Sequence, residues 1–421
     1  MSAPRTSAWS TSPLRPPAAR GAAAPPASAH AVPTGGAPAP ARPPSALATA
    51  VGAARALDPV LHEAVTLQAS DVHVVADHPP LLRVHGELRP ATGVGVLSDA
   101  QVRAVVADLV TPEQHARFEA DLELDLSHDV ADGYHARINV YQQSGRVAVA
   151  MRLIPPQIRT LKELGIPSVV GTFAGLPRGL VLVTGPTGSG KSMTLAGIID
   201  LANRTRSDHI LTVEDPIEYR HRSQRCLVTQ REVGGDTRSF AASLRHALRQ
   251  DPDIILIGEM RDLETIQIAL TAAETGHLVL GTLHTQDAAR SVERIIDSFP
   301  VDAREQVQGQ LAGSLMGIVS QALCRRADGG GRVVATEVMV GTPAVRARIR
   351  EGKQHLLYST IHAGRDQGMQ TLDQSLSDLV RRGLVTYDVA LDKARDVEEF
   401  NRMCGRSGGI QGALGRREGF A

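Results

Sequence analysis

The sequence of 421 residues predicts an α/β protein. A mostly parallel sheet covered by helices follows a smaller α+β domain and precedes a helical C-terminal part. Three observations carry this reading. Short β-branched runs alternate with helical stretches after about residue 160. A period-two alternation interrupted by one amphipathic helix occupies residues 55–155. A complete glycine-rich phosphate motif stands between a strand and a helix.

Residues 1–54 are dominated by Ala, Pro, Ser, Gly and Arg, a composition that predicts a disordered extension, either a plain tether or a docking arm. In residues 55–155, "SDVHVVA" and "LLRVHGELR" read as strands, the second after Pro79-Pro80. "SDAQVRAVVADLV" reads as an amphipathic helix capped by Ser98. "YHARINVYQQSGRVAVAMRLI" reads as a hairpin turning at Ser144-Gly145. Across residues 160–404 the runs "GLVLVTG", "HILTVEDP", "DIILIGEM" and "HLVLGTLHT" predict buried strands joined by helical crossovers. After about Gln286 the pattern becomes helical, apart from "GGGRVVATEVMV", a turn feeding a strand. Residues 405–421 read as a flexible Gly/Arg-rich tail.

One helix in the C-terminal part is punctuated at both ends. "AVRARIRE" (344–351) follows Thr342, a capping residue, and Pro343, which suits the first helical position. Gly352 stands where a left-handed C-cap is wanted. Val345 and Ile349 share one stripe, Arg346 and Arg350 another.

Composition narrows the function. Lys+Arg and Asp+Glu both number 45, so no global field favours DNA or an acidic membrane. Aromatic residues make up 3%, which argues against a base-stacking surface. Cys226, Cys324 and Cys404 are scattered, which excludes a tetracysteine zinc module and suggests a reducing compartment. No apolar run approaches the roughly 20 residues of a spanning helix. The start lacks the apolar core of a secretory signal, so the expectation is an intracellular protein without direct membrane insertion.

"GPTGSGKS" (185–192) matches G-x-x-x-x-G-K-[ST] at every fixed position. Gly185, Gly188 and Gly190, spaced by Pro186, Thr187 and Ser189, let backbone N–H groups curl around phosphate oxygens. Lys191 is placed to reach the β- and γ-phosphates, and the Ser192 hydroxyl to ligate Mg²⁺. Met193 occupies a position where a second hydroxyl often occurs. The motif therefore predicts a nucleoside triphosphate and Mg²⁺ as ligands.

Two acidic strand ends follow. "DIILIGEM" ends in Glu259, a carboxylate placed to hold Mg²⁺ or polarise water. "TVEDPIEY" gathers Glu214, Asp215 and Glu218 around Pro216. Three acids together repel unless a cation offsets them, although Asp215 alone could be a helix cap. His277 and His284 bracket "HLVLGTLHT", a strand expected beside the phosphate motif, so both are candidates to sense the γ-phosphate.

From about residue 69 to 400 the ordered set of blocks resembles the type II/IV secretion and pilus ATPases, most closely the retraction (twitching-motility) branch. The blocks are "ASDVHV", "RVHGELR", "GPTGSGKS", "TVEDPIEY", "SLRHALRQDPDIILIGEMRDLET" and "TGHLVLGTLHT". The resemblance implies that the nucleotide is ATP, and it implies a RecA-like P-loop core and a PAS-like N-terminal domain. It implies that Glu218 is the general base, Glu259 the Walker B acid, and His277 and His284 the histidines near the γ-phosphate, with Glu214 in the same acidic segment. Arg137 and Arg152 match basic positions that approach the nucleotide from the N-terminal domain. Arg245 and Arg249 would share one helix face.

The resemblance further implies a homo-hexameric motor at the cytoplasmic face of the inner membrane. It would work on a pilus platform protein and, indirectly, on pilin, with a paralogous retraction ATPase as a further partner. The branch is marked by a signature commonly written AIRNLIRE, which here reads "AVRARIRE", with Ala347 and Arg348 departing from it. Pilus assembly or type II secretion, and accessory retraction, stand as alternatives. A DNA-handling P-loop ATPase is disfavoured by the balanced charge.

Overall fold

The structure, a computed structural model, describes residues 47–406 apart from 85, 131 and 132. The expectations for residues 1–46 and 407–421 lie outside the described residues. The disorder expected up to residue 54 does not extend through 47–54, because helix α1 spans Leu47–Thr66. Alanine cannot build a core but is the best helix former, and the Ala-rich segment leads into the buried Leu57, Val60 and Ala64.

The N-terminal sheet has strands β1 (Asp71–Val75), β2 (Leu81–Val84), β3 (Glu87–Pro90), β4 (Glu123–Asp129), β5 (His135–Gln143) and β6 (Arg146–Ile154). Their antiparallel order is β3-β2-β1-β6-β5-β4. "LLRVHGELR" is two strands rather than one, turning at Gly86, whose φ of 93° suits glycine. The β5–β6 turn falls at Ser144 and Gly145, both at positive φ. Between β3 and β4 lie α2 (Asp99–Leu109), closed by a Ser98/Gln101 capping box, and α3 (Pro112–Asp121).

Side chains alternate across these strands. Val72, Val74, Ile138, Val140, Val149 and Met151 pack with Val60, Ala64, Val102 and Val105 of α1 and α2. The opposite face is polar. Asp71, His73, Arg137, Asn139 and Arg152 there line a cleft shared with Asp215, Pro216 and Glu232.

The second sheet has β7 (Gly179–Thr184), β8 (His209–Glu214), β9 (Leu227–Glu232), β10 (Ile254–Ile257), β11 (Leu278–Leu283), β12 (Leu315–Arg325) and β13 (Arg332–Val340). Their order is β13-β12-β7-β11-β10-β8-β9, parallel except for the β12–β13 hairpin. Helices α4 (Ser168–Thr172) and α5 (Lys191–Thr205) cover one face, where Val181 and Val183 pack with Ile198 and Ile199. Helices α6 (Phe240–Ala247), α7 (Leu263–Glu274), α8 (Ala288–Asp297) and α9 (Arg304–Ser314) cover the other, where Leu180 and Leu182 meet Leu244, Ile266, Val292 and Leu311. Continuous apolar strands are what two covered faces require.

The helical reading after Gln286 fails at β12, which pairs with β7 beside the phosphate motif. Its small and polar residues, Gly317, Ser320 and Gln321, hide the strand pattern. Gly317 lies against the Phe173 ring and Ser320 hydrogen-bonds Thr184 at 2.8 Å, so both are explained only by tertiary contact.

Among the described residues five short α-helices follow β13: α10 (Pro343–Arg350), α11 (Leu357–Ala363), α12 (Leu372–Arg381), α13 (Tyr387–Leu391) and α14 (Val397–Met403). The last three close a small core around Leu376, Leu379, Val385 and Phe400. In α10, Thr342 Oγ1 accepts the Val345 N–H at 3.3 Å, and Gly352 takes a φ of 68°. Val345 and Ile349 are fully buried. Arg346 does not present its charge outward: it donates to the carbonyls of Gly341 at 2.8 Å and Gly313 at 3.1 Å.

Candidate functional site

Parallel strands present their C-terminal ends along one edge of a sheet, and ligands bind beyond that edge. Here β7 runs into residues 185–190, β8 into the 215–221 segment, β10 into Gly258–Glu259 and β11 into His284. One cleft is lined by Thr187, Gly188, Lys191, Ser192, Glu214, Glu218, Glu259, His284 and, from the N-terminal sheet, Arg137.

The phosphate loop needs its glycines for two separate reasons. At Gly185, φ is 140°, and a Cβ there would stand 2.5 Å from the Gln321 carbonyl oxygen. Gly188 and Gly190 take φ of 77° and 91°; a Cβ at Gly188 would meet nothing and one at Gly190 only the Leu323 side chain at 4.0 Å, so backbone conformation is what constrains them. Gly190 leads directly into Lys191, the first residue of α5, whose free N–H groups and dipole favour an anion. The Lys191 ammonium donates to the Gly185 carbonyl at 2.8 Å and to that of Pro186 at 3.2 Å. Burial lowers its pKa, while Glu259 and Glu218 pull it back up. Ser189 is buried, and Met193 is half-buried on α5.

The acids occupy different environments. Glu214 accepts from Thr212 Oγ1 at 2.7 Å and from Gln230 Nε2 at 3.1 Å. Burial pushes its carboxyl up to about 6, against the pull of those two hydrogen bonds. Glu218 is a third exposed and sits 2.9 Å from Arg137 Nη1. Burial also acts to raise Glu259, but Arg261 at 2.5 Å and His284 Nε2 at 2.7 Å outweigh it and hold that carboxyl below the usual range. Two further cleft residues were given no role by the sequence, although Tyr219 closes the "TVEDPIEY" block. Tyr219 is pushed up to about 12 by burial, and burial drives His221 down to about 4 and keeps it neutral.

Several expected residues stand elsewhere. His277 precedes β11 and His284 follows it, so they lie at opposite ends of a six-residue strand, about 20 Å apart. His277 Nδ1 is 3.0 Å from the Ala272 carbonyl oxygen and away from the cleft. Arg152 is the cross-strand neighbour of Arg137 but pairs with Asp71 at 3.1 Å. Arg245 pairs with Glu264. Arg249 lies beyond α6, which ends at Ala247, so the two arginines do not share a helix face. The turn before Pro252, with Asp251 at a φ of 54°, takes the chain out of the helix early.

The residues at the cleft suit a nucleotide with a divalent cation. The cradle around Gly185 admits no side chain, and the donors Ser192 and Glu259 are hard oxygens of the kind Mg²⁺ prefers. Among the described residues no cluster of three or more His, Cys, Asp or Glu forms an all-protein metal cage.

Comparison with known proteins places these features in context. The family described as Type II/IV secretion system protein matches residues 49–391. The "Type IV pilus retractation ATPase PilT" of Pseudomonas aeruginosa is 49% identical over 332 residues, 79% of this chain and 96% of that protein. The "Twitching motility protein" of Neisseria gonorrhoeae is 46% identical over 322 residues, 76% of this chain and 86% of that one. A crystal structure of the pilus retraction motor PilT with bound ADP superposes with a TM-score of 0.77 at 42% identity, covering 82% of this chain and 99% of that chain.

Proposed function

The chain belongs to the Type II/IV secretion system protein family, and from that membership we propose that it is an ATP-hydrolysing motor that powers type IV pilus retraction. One observation carries the enzymatic part: Lys191, Ser192, Glu218, Glu259 and His284, from separate segments, line one cleft. The retraction branch is supported by near full-length likeness to proteins named for pilus retraction and twitching motility.

In this reading the loop N–H groups and Lys191 bind the triphosphate. Ser192 and Glu259 hold Mg²⁺, which when bound offsets charge developing on the phosphoryl oxygens. Glu218, a third exposed and lining the cleft beside Lys191, takes the proton of the attacking water. Arg137 orients that carboxylate and brings positive charge from the N-terminal sheet. His284 keeps Glu259 ionised and aimed.

Contacts between the N-terminal sheet and the 215–221 segment then let hydrolysis move two rigid parts against each other. The working assembly is a homo-hexamer at the cytoplasmic face of the inner membrane, acting on a platform protein and through it on pilin, with a paralogous retraction ATPase as a further partner. Among the described residues no helix is long and apolar enough to cross a membrane.

Deleting the gene tests the biological half: surface pili should persist but fail to shorten. Loss of pili altogether would instead assign the chain to pilus assembly. A strict monomer with and without an ATP analogue would remove the ring.

A further inference from the structure

Strand β9 is the edge of its sheet, bonded only to β8, yet it carries two side chains that hold the segment around Glu218. Gln230 and Glu232 are two apart and so share a face. Gln230 Oε1 accepts the His221 N–H at 2.7 Å. Its Nε2 donates to the Tyr219 carbonyl at 2.9 Å and to Glu214 Oε1 at 3.1 Å. Glu232 Oε2 accepts the Ile217 N–H at 3.1 Å, and its Oε1 accepts the Ser127 hydroxyl of β4 at 2.9 Å. Glu218 therefore lies between anchored neighbours on both sides, in a segment without regular secondary structure of its own.

The chemistry singles out an amide at position 230. The three partners need one acceptor and two donors, which an amide supplies in one planar group. A carboxylate lacks the donors and an ammonium lacks the acceptor.

We propose that Gln230 is the positioning residue of the hydrolytic site, its amide clamping residues 219–221 to the half-buried Glu214 and so aiming Glu218 into the cleft. This rests on the reading of Glu218 as the group that takes the water's proton. Gln230 touches neither water nor phosphate in this role; it acts through Glu218 and Glu214.

The test uses the purified full-length chain. Gln230→Met keeps the length and removes the amide. Its kcat should fall at least about tenfold with the KM for ATP within about twofold, because misaimed groups cost turnover rather than binding. Amide exchange in the peptide spanning residues 215–223 should quicken about tenfold as the His221 N–H loses its acceptor. Gln230→Glu keeps that acceptor but lacks the donors, so exchange should return towards the parent rate while hydrolysis stays low.

Parent-like kcat in Gln230→Met overturns the proposal. So does a loss of kcat that only tracks a lowered Tm, or unchanged exchange. The exchange readout does not depend on hydrolysis. An inactive parent whose Gln230→Met variant exchanges faster would overturn the proposed function while supporting the clamp.

Discussion

Arg137 Nη1, on the N-terminal sheet, lies 2.9 Å from Glu218 Oε1, in the segment that follows β8 of the second sheet. The two residues stand 81 positions apart in sequence, so the pair exists only when the two sheets are docked. It is flanked by two more contacts of the same kind: Ser127 with Glu232 at 2.9 Å, and Arg220 with Asp129 at 3.1 Å. Arg137→Gln, which keeps a donor but loses the charge, should lower kcat by about 10- to 1000-fold while leaving the fold intact. Steady-state ATPase assays with circular dichroism check this, and parent-like turnover would show that Arg137 is only a surface brace.

Lys191→Ala and Glu218→Ala remove different halves of the reaction. Lys191→Ala should weaken ATP binding and abolish turnover. Glu218→Ala should retain nucleotide while turnover drops by at least about 100-fold. Fluorescent nucleotide titration beside phosphate release separates the two, and hydrolysis by Glu218→Ala near the parent rate would reassign the base.

The glycines of the phosphate loop should not respond equally. Gly188→Ala meets only backbone strain, about 1–3 kcal/mol. Gly185→Ala adds a collision with the Gln321 carbonyl oxygen, which sits on a central strand and cannot move aside. Gly185→Ala should therefore lose more than about tenfold in nucleotide affinity beyond Gly188→Ala. Calorimetric titration of ATP analogues into both variants decides this.

Glu337 on β13 is 1% exposed; it accepts the Ala288 N–H at 2.8 Å through Oε1, while Oε2 has no partner. Burial pushes its carboxyl up to about 7, helped by Asp287 and Asp373 and opposed by that N–H and by Arg395. A carboxyl raised on folding favours the folded state while protonated. Its contribution is whole below about pH 4.5 and is lost as pH rises through 7. Glu337→Gln keeps the acceptor for Ala288 and never ionises. It should match the parent near pH 4.5 and exceed it at pH 8 by up to about 3 kcal/mol. Chemical denaturation at the two pH values measures this, and a difference independent of pH would refute it.

The sequence exposes what is local and hides what depends on register. The phosphate loop, Glu218, Glu259 and His284 each follow a strand that reads as one, and Glu214 ends such a strand, so a parallel sheet alone brings them to one edge. His277 shares the block with His284, yet a strand separates its own two ends, and proximity in sequence misleads there. Strand β12 was hidden because burial on both faces with glycine, serine and glutamine resembles no simple period. Gln230 lies in no motif, and nothing in "LVTQRE" marks it until β9 is paired in register with β8. The reach of Arg137 and the diversion of Arg152 to Asp71 likewise depend on how one sheet sits against the next element.

The arginines of α10 divide the work that their spacing suggested they would share. Arg346 is committed to two backbone carbonyls, so a protein approaching this helix meets Arg348 and Arg350, and Arg348 already lies 3.7 Å from Glu351. Lys353 also reaches Glu351, at 2.9 Å, so that single acid leaves the surface around the helix positively charged, a field screened within about 8 Å at physiological salt. Attachment of an acidic partner there should therefore weaken as ionic strength rises. Discrimination among acidic partners would come from the contour of the helix: a short rod fixed at one end by Thr342 and turned sharply at the other by Gly352.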